Sequence, residues 1–107
     1  MSDLKWDKAF ALEQAADDEG LLQELIEIFK KSALSDLANI KQSIEKGDAA
    51  MGGSSSHSIK GAAASLGFQG LREVTEAMET DCRNGSLVVI TVQLPELEKL
   101  LALLQKM

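Results

Sequence analysis

Leu21-Leu22-Gln23-Glu24-Leu25-Ile26-Glu27-Ile28-Phe29 is the stretch that decides the fold of this chain. Leu21, Leu22, Leu25, Ile26 and Phe29 recur at three- and four-residue spacing, which places them on one stripe of a 3.6-residue helix. Residues 18–31 therefore read as an amphipathic helix. Asp17-Asp18-Glu19 marks its start, because acidic groups suit the positive end of a helix dipole. Upstream, Trp6, Ala9 and Phe10 give a short segment one apolar side, with Trp6 and Phe10 expected to cap one end of the folded body. Downstream, Leu34, Leu37, Ile40 and Ile44 continue the period beyond a polar Lys30-Lys31-Ser32. The sequence leaves that junction open between a break and a bend. Gly47-Asp48 supplies a helix stop and the cap of the next helix.

The rest of the chain repeats the pattern. Residues 48–66 form a candidate helix, ended by Gly67. Leu71, Val74, Met78 and Cys82 mark another, ended by Asn84-Gly85. Leu94, Leu97, Leu101 and Leu104 mark the last. Leu87-Val88-Val89-Ile90-Thr91-Val92 is β-branched and has strand propensity. A lone strand would have no partner, so this run reads as the first part of the last helix, with Pro95 kinking that helix or opening a new one. The expected fold is all-α: one domain over residues 1–107, an antiparallel four-helix bundle with a short extra N-terminal helix.

Composition narrows the function. The 107 residues hold 17 acidic and 11 basic side chains, a net charge of −6. That balance argues against nucleic acid, which needs a basic footprint, and against anionic membrane surfaces. No apolar run approaches a membrane span. The start, Met1-Ser2-Asp3-Leu4-Lys5-Trp6, lacks the basic and apolar regions of a signal peptide, so a cytoplasmic location is expected. One Cys and one His rule out disulfide frameworks and Cys- or His-rich metal sites, though carboxylate-only sites for hard cations stay open; no cofactor or metal of its own is expected. Cys82, on the apolar side of its helix, reads as a buried inert thiol, and Met51 and Met78 as core filler. Glu79 and Arg83 have the spacing of an ordinary surface ion pair.

The single histidine, His57, is the informative residue. At about 100° per residue, Ile59 and Leu66 fall opposite it, and Met51, Ser55, Ala62 and Ala63 lie on that same far side. The imidazole is therefore expected to point outward. Around it lie Gly53 and Gly61 at one turn, Ala50 and Ala64 at two, and Ser54 and Lys60 at three residues' distance. Gly52, Gly53 and Gly61 inside a helix cost roughly 2 kcal/mol together. Close approach of another surface to the ring accounts for that cost, because glycine leaves the backbone bare. Imidazole is largely neutral and nucleophilic near neutral pH. It can form a covalent intermediate, and Lys60 at i+3 can reach oxygens of a group held on the ring. On its own, such a His with a nearby Lys is more often an idle surface pair. A Ser-His hydrolase reading of Ser54–Ser58 fails for want of a nucleophile elbow or a nearby carboxylate in sequence. Nothing resembles a nucleotide-binding loop, so phosphorylation from ATP by this chain is not expected.

The longer string carries the weight. His57-Ser58-Ile59-Lys60-Gly61-Ala62-Ala63-Ala64-Ser65-Leu66-Gly67 resembles the signature of histidine-containing phosphotransfer (HPt) domains, His-x-x-Lys-Gly followed by small residues and a second Gly. Leu71, Met78-Glu79, Arg83 and Gly85 are similar to the family's following helix, Leu21–Phe29 to its first long helix, and Lys46-Gly47-Asp48 to the loop before the His helix. The resemblance implies a four-helix bundle with extra short helices. It implies that His57 is phosphorylated and that Lys60 interacts with the phosphoryl group; Nε2 is the expected acceptor atom because it projects farthest from the backbone. Gly61 would be the small position that admits a partner, within a docking strip of Gly53, Ser54, Gly61 and Ala64. The implied partners are receiver domains, a hybrid sensor histidine kinase, or both, with Mg²⁺ on the receiver and this chain as a monomeric carrier. The acidic charge is then expected to lie away from the docking face. The alternative is a non-catalytic adaptor with His57 idle. The opening Met1 favours a standalone protein. Phe68 departs from the family, which usually has a small residue there, and Gly52–Ser56 is a poor helix former where the family has larger apolar residues.

Overall fold

The computed structural model describes residues 3–107. Met1 and Ser2, the first residues of the stretch read for a signal peptide, lie outside the described residues. Five helices follow one another: α1 (Lys8–Gln14), α2 (Glu19–Lys46), α3 (Ala49–Leu66), α4 (Gln69–Arg83) and α5 (Val88–Gln105). Short connections turn α2 to α5 into a bundle in which each helix packs on the next and α5 closes against α2, while α1 lies across α2 and α3. No β-strand forms among the described residues. The all-α bundle with a short N-terminal helix matches the fold expected from the sequence.

Local chemistry sets the boundaries. Asp7, Asp18 and Asp48 each accept a hydrogen bond from the backbone N–H three residues on, capping α1, α2 and α3. Gly47 and Gly67 end α2 and α3 in the left-handed region, at φ 66° and 78°. The open junction at Lys30-Lys31-Ser32 resolves as continuous helix. The 28 residues of α2 span about 42 Å at 1.5 Å per residue, which matches the longest dimension of the molecule, 42 Å. Lys30 is not a break because its ammonium is used: it pairs with Glu27 and the backbone oxygen of Met107, while Gln105 donates to the Lys30 carbonyl. These contacts pin the end of α5 to the middle of α2.

The β-branched run is helical, and α5 continues through Pro95. Ile90 is fully buried, so tertiary packing overrides the strand propensity of its neighbours. Asp81 on α4 serves the start of α5, accepting from Ser86 Oγ at 2.7 Å and Val89 N at 2.9 Å. Those two bonds, the backbone one first, hold the Asp81 carboxyl below its usual range.

The far end of the bundle corrects one expectation. Trp6 precedes α1 in extended backbone, and its partner is Phe68, not Phe10. The two rings stack with centroids 5.4 Å apart and planes 8° apart, and the indole N–H donates to the Leu66 carbonyl at 2.9 Å. Phe68 is completely buried and meets Phe29 on its other side. A large ring stands here because the Trp6 segment folds over the α3–α4 corner and needs a surface to pack on. Phe10 stays partly exposed. The same segment explains Gly67. A Cβ there would lie 2.6 Å from the Asp7 carbonyl oxygen, which no rotamer change relieves.

The glycines of α3 do not act as a group. Gly52 and Gly53 are buried, and both meet α4. A Cβ on Gly52 would come within 2.9 Å of Ser43 Oγ, 3.0 Å of Ile90 Cδ1 and 3.2 Å of Cys82 Sγ. Their size serves packing of α3 on its own bundle, and Gly53, read as part of a docking strip, is buried against α4. Gly61 alone has nothing within 4 Å of a Cβ. Gly52→Ala should therefore lower the thermal midpoint, costing about 1–3 kcal/mol of overpacking. Gly61→Ala should raise the midpoint, adding about 0.5–1 kcal/mol of stability through helix propensity. Paired thermal melts followed by circular dichroism check both signs.

Candidate functional site

Helix α3 presents His57 outward, as the helical wheel requires, with 58% of its side chain exposed. The buried side is Gly52, Gly53, Ser55, Ser56, Ile59, Ala63 and Leu66, with Met51 and Ala62 half-buried. Ser54, Gly61 and Ala64 share the exposed side with the ring.

The residue that organises the site is Glu79 on α4. Its side chain is only 5% exposed. It is therefore not the surface partner that its spacing from Arg83 suggested. Burying a carboxylate is costly unless it is paired and hydrogen-bonded, and here both oxygens are occupied. Oε1 meets Lys60 Nζ at 2.6 Å. Oε2 meets Arg83 Nε at 2.7 Å, Arg83 Nη2 at 2.5 Å and His57 Nδ1 at 2.9 Å. The Lys60 hydrogen bond is the main cause holding the Glu79 carboxyl at about 2, with Arg83 adding to it against the opposing effect of burial.

That carboxylate was missed in sequence because it lies 22 residues from His57. A signal existed: Glu79 falls on the same α4 stripe as Leu71, Thr75, Met78 and Cys82, all buried. An acid on a core-facing stripe has to find a cation, and Lys60 is the cation that α3 offers.

An ionised carboxylate accepts only, so the Glu79–His57 bond requires the proton on Nδ1. In the neutral ring this geometry assigns the tautomer, with the lone pair on Nε2. Lys60 spends one of its three donors on Glu79 and keeps two. It is thus brought to the ring by the same acid that orients the ring.

A cavity of about 560 Å³ opens beside His57, lined by Ala49, Ala50, Gly53, Ser54, Cys82, Arg83 and Gly85. Cys82 forms its floor and is buried. Burial first, then Asp81, pushes its thiol up, which fits an inert core residue. On the other flank of α3, Leu25, Ile28, Ala62, Ser65 and Leu66 line a shallow apolar groove against α2, with Ile28 63% exposed. Neither hollow is lined by a carboxylate, whereas Glu73, Glu76 and Asp81 line the groove between α4 and the start of α5. The acidic charge of that groove thus lies off the His57 flanks. Among the described residues, no group of three or more His, Cys, Asp or Glu is placed to hold a metal ion.

Comparison with known proteins now bears on this arrangement. The family model for the Hpt domain matches residues 24–107. The chain belongs to the Hpt domain family. A solved HPt domain, from a Shewanella Hpt sensor hybrid histidine kinase, superposes with a TM-score of 0.77 at 20% identity, over 95% of this chain and 92% of that one. It shows the same fold. A comparison with curated protein sequences gives no match. As an Hpt domain, the chain works in histidine phosphotransfer within a phosphorelay, as a carrier and not as a kinase or phosphatase of the usual kind. The Hpt match begins inside α2, so Trp6 and α1 lie outside it.

The low Glu79 value has a consequence for stability. A carboxyl whose folded value lies near 2, below its ordinary 4.5, adds stability that is fully present above about 4.5 and is lost as pH falls through about 2. Thermal melts of the Hpt domain should show the midpoint dropping across that window. Glu79→Gln should flatten the drop, leaving only what the other carboxyls contribute.

Proposed function

We propose that His57 is the residue of this Hpt domain that carries the phosphoryl group, and that its Nε2 is the acceptor atom. The observation that carries this reading is the Nδ1···Glu79 hydrogen bond at 2.9 Å on a ring that is otherwise exposed. It places a proton on Nδ1, so in the neutral ring the lone pair is on Nε2.

The Nε2 lone pair attacks phosphorus of an aspartyl phosphate on a docked receiver domain. The P–O bond to the receiver breaks, and its electron pair returns to the aspartate carboxylate. Mg²⁺ held by the receiver supplies most of the charge stabilisation in such transfers. Lys60 adds a cation on the near side of the ring, through the two donors that Glu79 leaves free. Ser54, Gly61 and Ala64 form the bare strip on which the receiver settles, and the apolar groove at Leu25 and Ile28 extends it. Gly61 supports this role best, since it is exposed and a Cβ there would have open space around it. Gly53 contributes from below, by letting α4 reach the site.

The donor or acceptor is a receiver domain, a hybrid sensor histidine kinase, or both. The Shewanella relative, named as part of a sensor hybrid histidine kinase, supports that class. Among the described residues no helix is long and apolar enough to cross a membrane, and we place the domain in the cytoplasm as a single, monomeric unit with no cofactor of its own.

Incubation with a ³²P-labelled receiver domain should transfer label to this chain in an acid-labile, base-stable form. His57→Gln should abolish it. Persistence of label in that variant rejects His57 as the carrier, and no label in the wild type rejects the carrier reading in favour of an adaptor. Lys60→Ala should slow transfer about tenfold, less than the loss of a full oxyanion donor, with the bundle still folded by circular dichroism.

A further inference from the structure

Fixing the His57 tautomer needs only an acceptor, and a neutral carbonyl oxygen serves that purpose at many histidines. Here the acceptor is a full negative charge in a side chain 5% exposed, held ionised by Lys60 and Arg83. Resting on the carrier reading above, we propose that the charge of Glu79 keeps the Nδ1 proton on the ring after Nε2 has been phosphorylated, so that phospho-His57 is a ready donor and not a store.

The chemistry follows from the electron count. A neutral N-phosphoimidazole has a bare lone pair at Nδ1. Breaking its P–N bond would leave an imidazolate, a poor leaving group. A ring that still carries Nδ1–H is a phosphoimidazolium. When a receiver carboxylate oxygen forms its bond to phosphorus, the P–Nε2 bond breaks, its electron pair stays on Nε2, and neutral imidazole leaves. Entry of the group is the same step reversed. No proton is taken up or released by the ring in either direction, because the proton stays between Nδ1 and Glu79 Oε2 throughout. Glu79 is in this sense a positioning residue for a proton.

The charged groups around the ring fit this assignment. α4 contributes Glu79 and Arg83, and α3 contributes Lys60. α2 contributes Asp36, whose carboxyl is raised by burial and is engaged by the Ser58 hydroxyl. No α5 residue lines the cavity beside the ring. Lys60 and Arg83 both sit on Glu79, while Nδ1 itself meets Glu79 Oε2, so the carboxylate is the charge that the proton meets directly.

The test uses the whole chain, phosphorylated chemically with potassium phosphoramidate. Ring ¹⁵N shifts report the Nδ1 proton, and ³¹P signals report the lifetime of the phosphoryl group across a pH series. In the wild type, Nδ1 of phospho-His57 should still be protonated at neutral pH, held there by the adjacent carboxylate. Glu79→Gln keeps an oxygen for the same bond but removes the charge. It should lose the proton about one pH unit lower, with a several-fold longer phosphoryl lifetime at mildly alkaline pH and slower transfer to an unphosphorylated receiver domain. A wild-type Nδ1 already bare at neutral pH overturns the proposal, as do identical titrations and lifetimes in the two proteins. The wild-type titration decides the matter even if Glu79→Gln does not fold. Phosphoramidate needs no receiver, so a receiver that fails to deliver its phosphoryl group rejects the carrier reading separately.

Discussion

A carboxylate cannot be taken out of water without company, and the seam between α3 and α4 is arranged around that constraint. Glu79 sits on the core-facing stripe of α4, where its neighbours are Thr75, Met78 and Cys82. Three donors converge on it from two helices, and each then has a fixed place. The convergence is possible only because α3 lies close against α4, and that closeness depends on Gly52 and Gly53, whose missing side chains leave room for Cys82 and Ile90. Packing and chemistry are thus one problem. The glycines bring the helices together, the acid is buried as a result, and the buried acid orients the nucleophile.

Buried ion pairs are weak evidence for stability, since desolvation offsets much of the attraction. Glu79 is better understood as a device for geometry. Its two oxygens divide the work, with Lys60 on one and Arg83 and His57 on the other. Arg83 lies mostly in solvent, with its guanidinium brought in to close the cluster. The ring is exposed on its Nε2 side and anchored on its Nδ1 side, the combination that an outward-facing nucleophile needs.

Much of this was legible in sequence. The helical periods, the acids at Asp17-Asp18-Glu19, the Asp48 cap and the stops at Gly47 and Gly67 gave four long helices and their connections. The wheel gave the outward direction of His57, and the string from His57 to Gly67 gave the family. Three features lay beyond that reading, each for a physical reason. The continuity of α2 depends on Lys30 finding partners at the other end of the chain. The role of Gly52 and Gly53 depends on which helix lies opposite, which a single wheel cannot say. Glu79 and Arg83 look like a surface pair at i,i+4, and only the crossing of α4 against α3 makes one of them interior. The site residues Lys60 and His57 were visible as neighbours, whereas the acid that joins them was hidden by 22 residues of chain.

The Trp6–Phe68 stack bears on where this domain begins. The part that matches the family starts at residue 24, in the second turn of α2. A fragment cut there would lose the Asp18 cap, the first turn of α2 and the indole that covers Phe68. It would also free the carbonyl of Leu66, which the indole N–H occupies at the last turn of the helix that carries His57. The folding unit is therefore longer than the recognisable motif, and excision at the motif's edge would leave an aromatic face and a frayed helix end open to water.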